Sequence, residues 1–403
     1  MYKYFILSAF AQIAISSYAP YIQIALRNKG YTHSRVGVVM AIGQAFAIMG
    51  PVLISFLSDK KGKTKPFLLL TVILSILFGI PFFLSTNLYV VIVATCALDA
   101  VFWCFNPLSD GFINRKLGKE GYKYGKIRAC GTFSYMIALV TFAFSGFPKE
   151  TENKSILTCF IIALSLLFFA ILIQTDDIRD KNNDKKRNRF SFSWFSKGYY
   201  FFMLIVFFTR IGQSVIEKLL ASYMTEELKL GGNFTLFVSI GALFEFFSMI
   251  LFGRLLKKNK VTPFFMLALS AIALTVRLLL YLIPNIYVFA FAQTLHGLTF
   301  GALHVAATTY TARSVDSSHY EVGMTLYWAI ATNLAELIGS LFGGFIIEKL
   351  GYSSLFAIYS IFPLIGFILC FVLKKEIQEK PSSLGELAGI LGNSITEMKA
   401  LKK

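Results

Sequence analysis

The chain has 403 residues, of which 56% are hydrophobic and only 15% charged, with a mean hydropathy of +0.64; a soluble domain carries about 25% charged residues. Phe occurs 42 times and apolar runs recur from Tyr4 to Leu373, which excludes a soluble enzyme and places most of the chain in lipid. The formal net charge of +17 comes from basic residues clustered between apolar runs, a topological signal of a membrane protein and not a footprint for nucleic acid.

A helix needs about 20 apolar residues to cross a bilayer, and twelve runs meet this. In chain order they are Tyr4–Leu26, Val36–Leu57, Phe67–Leu84, Leu88–Asn114, Lys126–Phe147, Ser155–Thr175, Tyr199–Tyr223, Phe234–Leu256, Pro263–Ile283, Ile286–Ala312, Glu321–Ile347 and Ser353–Leu373. The first has only Lys3 before it and no small-residue cleavage site, so it reads as a retained helix and not as a signal peptide. The runs are continuous where barrel strands would alternate. The expectation is an all-α membrane protein with twelve transmembrane helices.

Charge between the runs sets their direction. Lys60, Lys61, Lys63 and Lys65 follow the second run, Arg115 to Lys126 follows the fourth, and Lys257, Lys258 and Lys260 follow the eighth. The positive-inside rule puts these exits and both termini in the cytoplasm of a cell inner membrane. Residues 176–198, with DDIRDKNNDKKRNR at their centre, read as a cytoplasmic linker between a bundle at 1–175 and another at 199–374. Residues 375–403 form a cytoplasmic tail. The two halves repeat: Asn87-Leu88-Tyr89-Val90 opens the fourth run as Asn285-Ile286-Tyr287-Val288 opens the tenth, and Lys65-Pro66-Phe67 matches Thr262-Pro263-Phe264. Two pseudo-symmetric six-helix bundles follow, the major facilitator architecture, with a site near the midplane between them.

A charge inside a membrane helix is kept only where it meets a partner or water. The third, sixth and twelfth runs have none and read as lipid-facing scaffold. Asp99 and Asp110 fall in the fourth, Arg128 in the fifth, Arg210 and Glu217 in the seventh, Glu245 in the eighth, Arg277 in the ninth, His296 and His304 in the tenth and Glu336 in the eleventh. Asp99, Arg210, Glu245, His296 and Glu336 come out near mid-bilayer. Arg210 and Glu217, seven residues apart, share a helix face, and Asp110 and Arg128 can neutralise each other from neighbouring helices. Desolvation favours the neutral form of a carboxyl, which suits Glu245 or Glu336 to carrying a proton. The five cysteines lie inside apolar runs without metal-ligand or redox spacing, and no nucleophile–base set or phosphate loop occurs, so neither an enzyme nor a cofactor is expected.

Phe56-Leu57-Ser58-Asp59-Lys60-Lys61-Gly62-Lys63 resembles the loop signature of the major facilitator superfamily, which implies a gating role for Asp59, Lys60 and Gly62. The second-half equivalent, Gly253 to Lys260, has Leu256 in place of the acid. Pro107-Leu108-Ser109-Asp110, then Tyr124-Gly125-Lys126-Ile127-Arg128, Gly131 and Tyr135, is similar to the helix 4 to helix 5 segment of the lactose permease and phenylpropionate permease families. Leu295 to His304, Glu245 and Val276-Arg277 resemble the latter. The resemblance implies that Asp110 and Arg128 hold substrate while Tyr135 stacks on it, and it departs at Thr299 and Thr332, where lactose permease carries charge. Substrate binding is thus assigned to Asp110, Arg128, Tyr135, Asn106, Arg210 and His296, and proton coupling to Glu245, Arg277, His304 and Glu336. The expectation is a monomeric proton-coupled symporter of a sugar- or nucleoside-type solute. The alternatives are uptake of an aromatic carboxylate, or a sodium-coupled or passive facilitator on the same fold.

Overall fold

The computed structural model describes residues 1–117, 124–175, 195–315, 323–324 and 326–378; the expected tail from 379 and most of the expected linker, 176–194, lie outside this set. Every regular element among the described residues is helical. The membrane-crossing segments are α1 (Tyr2–Arg27), α2 (His33–Ser58), α3 (Lys65–Leu84), α4 (Leu88–Ile113), α5 (Lys126–Ser145), α6 (Asn153–Leu172), α7 (Lys197–Lys218), α8 (Gly231–Lys257), α9 (Pro263–Leu280), α10 (Ile286–Thr311) and a final stretch of 46 residues, Tyr327–Val372. As one rod that stretch would be about 70 Å long, more than twice the hydrocarbon thickness. It breaks at Gly351, whose φ of 80° and ψ of 176° suit a residue without a Cβ. Two spans result, α11 (327–350) and α12 (352–372), and the fold is the expected all-α arrangement of twelve transmembrane helices in two six-helix bundles.

The repeat seen in the sequence has a local cause. Asn87 caps α4 by accepting from the backbone N–H groups of Tyr89 and Val90 at 3.0 and 3.4 Å, and Asn285 caps α10 in the same way from Tyr287 and Val288 at 2.8 and 3.3 Å. Pro66 and Pro263 stand in the first turns of α3 and α9, where a missing N–H costs nothing. Thus one pair of start signals recurs in corresponding helices of each half.

Apolar side chains sort by what surrounds them. Helices α3, α6 and α12, uncharged beyond their first two residues, present outward stripes at helical spacing: Leu70, Ile73 and Leu77 on α3, Ile162, Leu166 and Phe169 on α6, and Ile361, Leu364, Ile368 and Phe371 on α12. These are the lipid-facing scaffold. Inside the first half, Tyr18 packs edge-on against Phe82, Phe83 and Phe102; inside the second, Tyr223 and Tyr281 pack around Phe289 and Phe356.

The two halves meet where α2 lies against α11 and α5 against α8. The first contact depends on glycines. A Cβ on Gly37 would stand 2.5 Å from the carbonyl oxygen of Ser340, and one on Gly344 would collide with that of His33. The seam closes the face opposite the termini. Replacing Gly37 by Val should force α2 off α11 and destabilise the protein by about 1–3 kcal/mol, read as a lowered thermal midpoint of the purified protein, with Gly37→Ala intermediate.

Candidate functional site

The most buried charges lie in the second half. Arg210 on α7 is 2% exposed. Its guanidinium donates to Glu217 Oε1 at 2.9 Å and Oε2 at 3.3 Å, and to Glu336 Oε1 at 2.8 Å. The Phe300 ring lies beneath it, 5.2 Å from centroid to Cζ. Lys218 Nζ approaches the other oxygen of Glu336 at 3.2 Å. Two cations and two anions balance, as a low-dielectric site requires, since an uncompensated buried charge costs several kcal/mol. Two turns of α7 put Arg210 above Glu217. Gly339, where any Cβ would collide with Ser214 Oγ, lets α11 approach closely enough for Glu336 to complete the set.

A second knot surrounds Arg277 of α9, which is fully buried. It donates to Tyr281 Oη at 2.8 Å, Gln293 Oε1 at 2.8 Å and Thr299 Oγ1 at 3.2 Å, and its Nη1 lies 2.7 Å from His296 Nδ1. The other ring nitrogen of His296 lies 3.3 Å from Glu245 Oε2 on α8. Arg277 therefore orients the imidazole that faces Glu245. His296, Phe300 and His304 stack as parallel rings, 5.6 and 5.9 Å apart at 9° and 3°. This ladder spans a π-helical stretch, Gly297–Gly301, and Glu336 follows another, Tyr327–Leu334. Such bulges re-aim side chains and concentrate at functional sites.

The first half contributes fewer charges. Tyr18 Oη donates to Asp99 Oδ1 at 2.9 Å, and Gln12 Nε2 to Asn106 Oδ1 at 3.1 Å. Tyr135, Asp110 and Arg128 are half-buried. Asp110 and Arg128 do not lie within ion-pair distance of each other, and among the described residues Arg128 makes no hydrogen bond or ion pair. The expected mutual neutralisation is therefore absent from this conformation. Of the loop signature, Lys60 is exposed and Gly62 takes φ 67° in the tight turn between α2 and α3; the side chain of Asp59 lies outside the described residues.

The structure adds residues to those expected from the sequence. Lys218 lies within the seventh apolar run beside Glu217 but is not among the expected site residues; it joins the Arg210 cluster and also donates to Gln44 Oε1 of α2 at 2.9 Å. At the closed face Glu226 accepts from Arg27 Nε at 2.7 Å and from Tyr352 Oη at 2.9 Å, and lies 3.1 Å from His33 Nε2. Arg27 and His33 belong to the first half, Glu226 and Tyr352 to the second. Spaced across four segments, these residues leave no local motif.

Twelve helices in two bundles describe a fold that the chain shares with known proteins: the MFS_1 like family matches residues 1–358. The chain belongs to the MFS_1 like family. It is a membrane transporter of the major facilitator type, not an enzyme. It is similar to the uncharacterized transporter YwbF of Bacillus subtilis (strain 168), with 23% identity over 378 residues that cover 92% of each chain. It is also similar to the maltose permease of Geobacillus stearothermophilus, with 21% identity over 377 residues covering 88% of this chain and 89% of that one. The crystal structure of the nucleoside transporter NupG shares the fold at 13% identity, with a TM-score of 0.77 over 94% of this chain and 99% of that one.

Burial pushes the Glu226 carboxyl up, but hydrogen bonds from His33 and Arg27, with Tyr352 behind them, outweigh it and hold the group down at about 2. A group so depressed contributes fully above the ordinary carboxylate range, near 4.3, and loses its share only as pH falls toward 2. Glu226→Gln should speed maleimide labelling of a Ser222→Cys probe at the seam several-fold. The ratio between mutant and parent rates should not fall from pH 8 to pH 5; a falling ratio would show a carboxyl titrating in the ordinary range.

Proposed function

We propose that the protein is a proton-coupled symporter that carries a small polar solute of sugar or nucleoside type by alternating access. The observation that carries this reading is the balanced, buried cluster of Arg210, Glu217, Lys218 and Glu336 beside the interface between the halves. A proton arriving on Glu336 removes one of the cluster's two negative charges and leaves its two cations in excess. The imbalance weakens the contacts that Arg210 and Lys218 make and biases the carrier toward another arrangement. Glu245, 3.3 Å from His296 Nε2 and against the Arg277 knot, is the second candidate proton carrier.

The similar maltose permease and the NupG fold support a sugar- or nucleoside-type solute. The lysines after α2 and α8 support an inner-membrane orientation with cytoplasmic termini, which would make the closed face external. Solute would sit between Tyr135, Asn106 and Arg128 on one side and Arg210 and His296 on the other, with aromatic faces for a pyranose or base and hydrogen-bonding groups for its edges.

One observation favours a second cargo. Arg128, half-buried and without a partner among the described residues, is suited to a carboxylate, as an aromatic acid would supply. Competition between neutral sugars or nucleosides and aryl acids in reconstituted vesicles separates the two. If an acid is the cargo, Arg128→Lys should weaken binding about tenfold or more, because an ammonium cannot reproduce the bidentate fork.

The proton assignment is tested in proteoliposomes. Solute accumulation should require an inward proton gradient and collapse with a protonophore. Glu336→Gln should abolish uphill uptake while preserving solute exchange, which needs no net proton movement. Accumulation that survives in Glu336→Gln, Glu245→Gln and the double variant would contradict the assignment.

A further inference from the structure

Lys218 touches both halves of the transporter. Its ammonium lies 3.2 Å from Glu336 Oε2 on α11 and donates to Gln44 Oε1 on α2 at 2.9 Å. It stands 5.8 Å from the centroid of the Trp103 ring on α4. Gln44 passes the link onward, donating Nε2 to Asn333 Oδ1 on α11 at 3.2 Å. The charged groups nearby are Arg210 and Glu217 on its own helix, Glu336 on α11, and Asp99 on α4, whose field Lys218 shares. The side chain is 14% exposed, so these contacts are made away from bulk water, where they are strong. No other cation of the buried cluster bonds across the seam among the described residues: Arg210 spends its fork within the second half.

We propose that Lys218 is the positioning residue that couples the charge on Glu336 to closure of the two halves. With Glu336 ionised, its carboxylate holds the ammonium where Gln44 and Trp103 can receive it, and the face opposite the termini stays shut. With Glu336 neutral, the ammonium loses its anion, the bridge to α2 weakens, and the halves separate there. When they part, the bonds to Gln44 and Trp103 break while the bond to Glu336 can persist. The same lysine thereby passes information in both directions, as linkage requires. The inference rests on the alternating-access reading, not on which ion is coupled.

The test is a double-mutant cycle read by distance between spin labels at Thr86 and Glu227, exposed positions on opposite halves of the closed face. The full chain is used in a cysteine-free background, without solute or gradient. Glu336→Gln should lower the closed-to-open ratio about tenfold in the parent. Lys218→Met alone should lower it by a similar factor, and adding Glu336→Gln should then change nothing further. Lys218→Arg should restore closure and its sensitivity to Glu336. Gln44→Leu, which leaves every buried charge in place, provides the same cycle should Lys218→Met fail to fold. An equal effect of Glu336→Gln in all backgrounds overturns the proposal, as does full closure in both Lys218→Met and Gln44→Leu. A transporter that obeys this cycle yet never accumulates solute with protons would refute the symport reading alone.

Discussion

Arg210 is a cation that water does not reach, and much of the second half is arranged around that fact. A guanidinium out of water is tolerated only when anions and hydrogen-bond acceptors replace its hydration shell. Glu217 supplies two oxygens from its own helix and Glu336 a third from α11. Glu336 then has a spare oxygen, which Lys218 takes, and Lys218 has spare donors, one of which reaches α2. Each step satisfies a group left over by the previous one. The chain of obligations begins with one buried charge and ends across the interface between the halves. Ser214 against Gly339 and the π-helical turn at Tyr327–Leu334 bring α11 to the distance these bonds need.

The Arg277 knot is built differently. Its partners are neutral, apart from Glu245 behind His296, so it works as a rigid frame for one imidazole. The ring ladder from His296 to His304 ends against Trp328, with Arg210 over its middle ring. One cluster thus balances two cations against two anions and the other holds geometry. At the closed face the same division recurs on a smaller scale: Glu226 gathers Arg27, His33 and Tyr352 from four segments, while Gly37 and Gly344 allow α2 and α11 to touch.

The fold is legible in the sequence because lipid imposes length and composition. Every span follows from an apolar run, and the Asn caps at 87 and 285 mark the repeat by residue type and spacing alone. Gly351, which divides the last stretch, falls within a gap between two predicted runs. The charged members of the site other than Lys218 are equally visible, because a buried charge in a lipid-solvated helix is rare enough to count. Arg210 with Glu217 follows from their spacing of two turns. Pairing across helices is what the sequence hides. Nothing in it places Glu336 beside Arg210 or sends Lys218 to Gln44, since such contacts depend on helix packing. For the same reason Asp110 and Arg128, plausible partners by position, stand apart. The closed-face latch leaves no signal because Arg27, His33, Glu226 and Tyr352 sit at helix ends, where charge is ordinary.

The central claim is that the charge on Glu336 changes as the carrier changes state. Infrared difference spectra between neutral and acidic pH address this group directly, because protonation converts a carboxylate stretch into a carboxylic C=O stretch. The account predicts a C=O band in the parent that is lost in Glu336→Gln and survives in Glu226→Gln. An acid-induced C=O spectrum identical in the parent and in Glu336→Gln would contradict it.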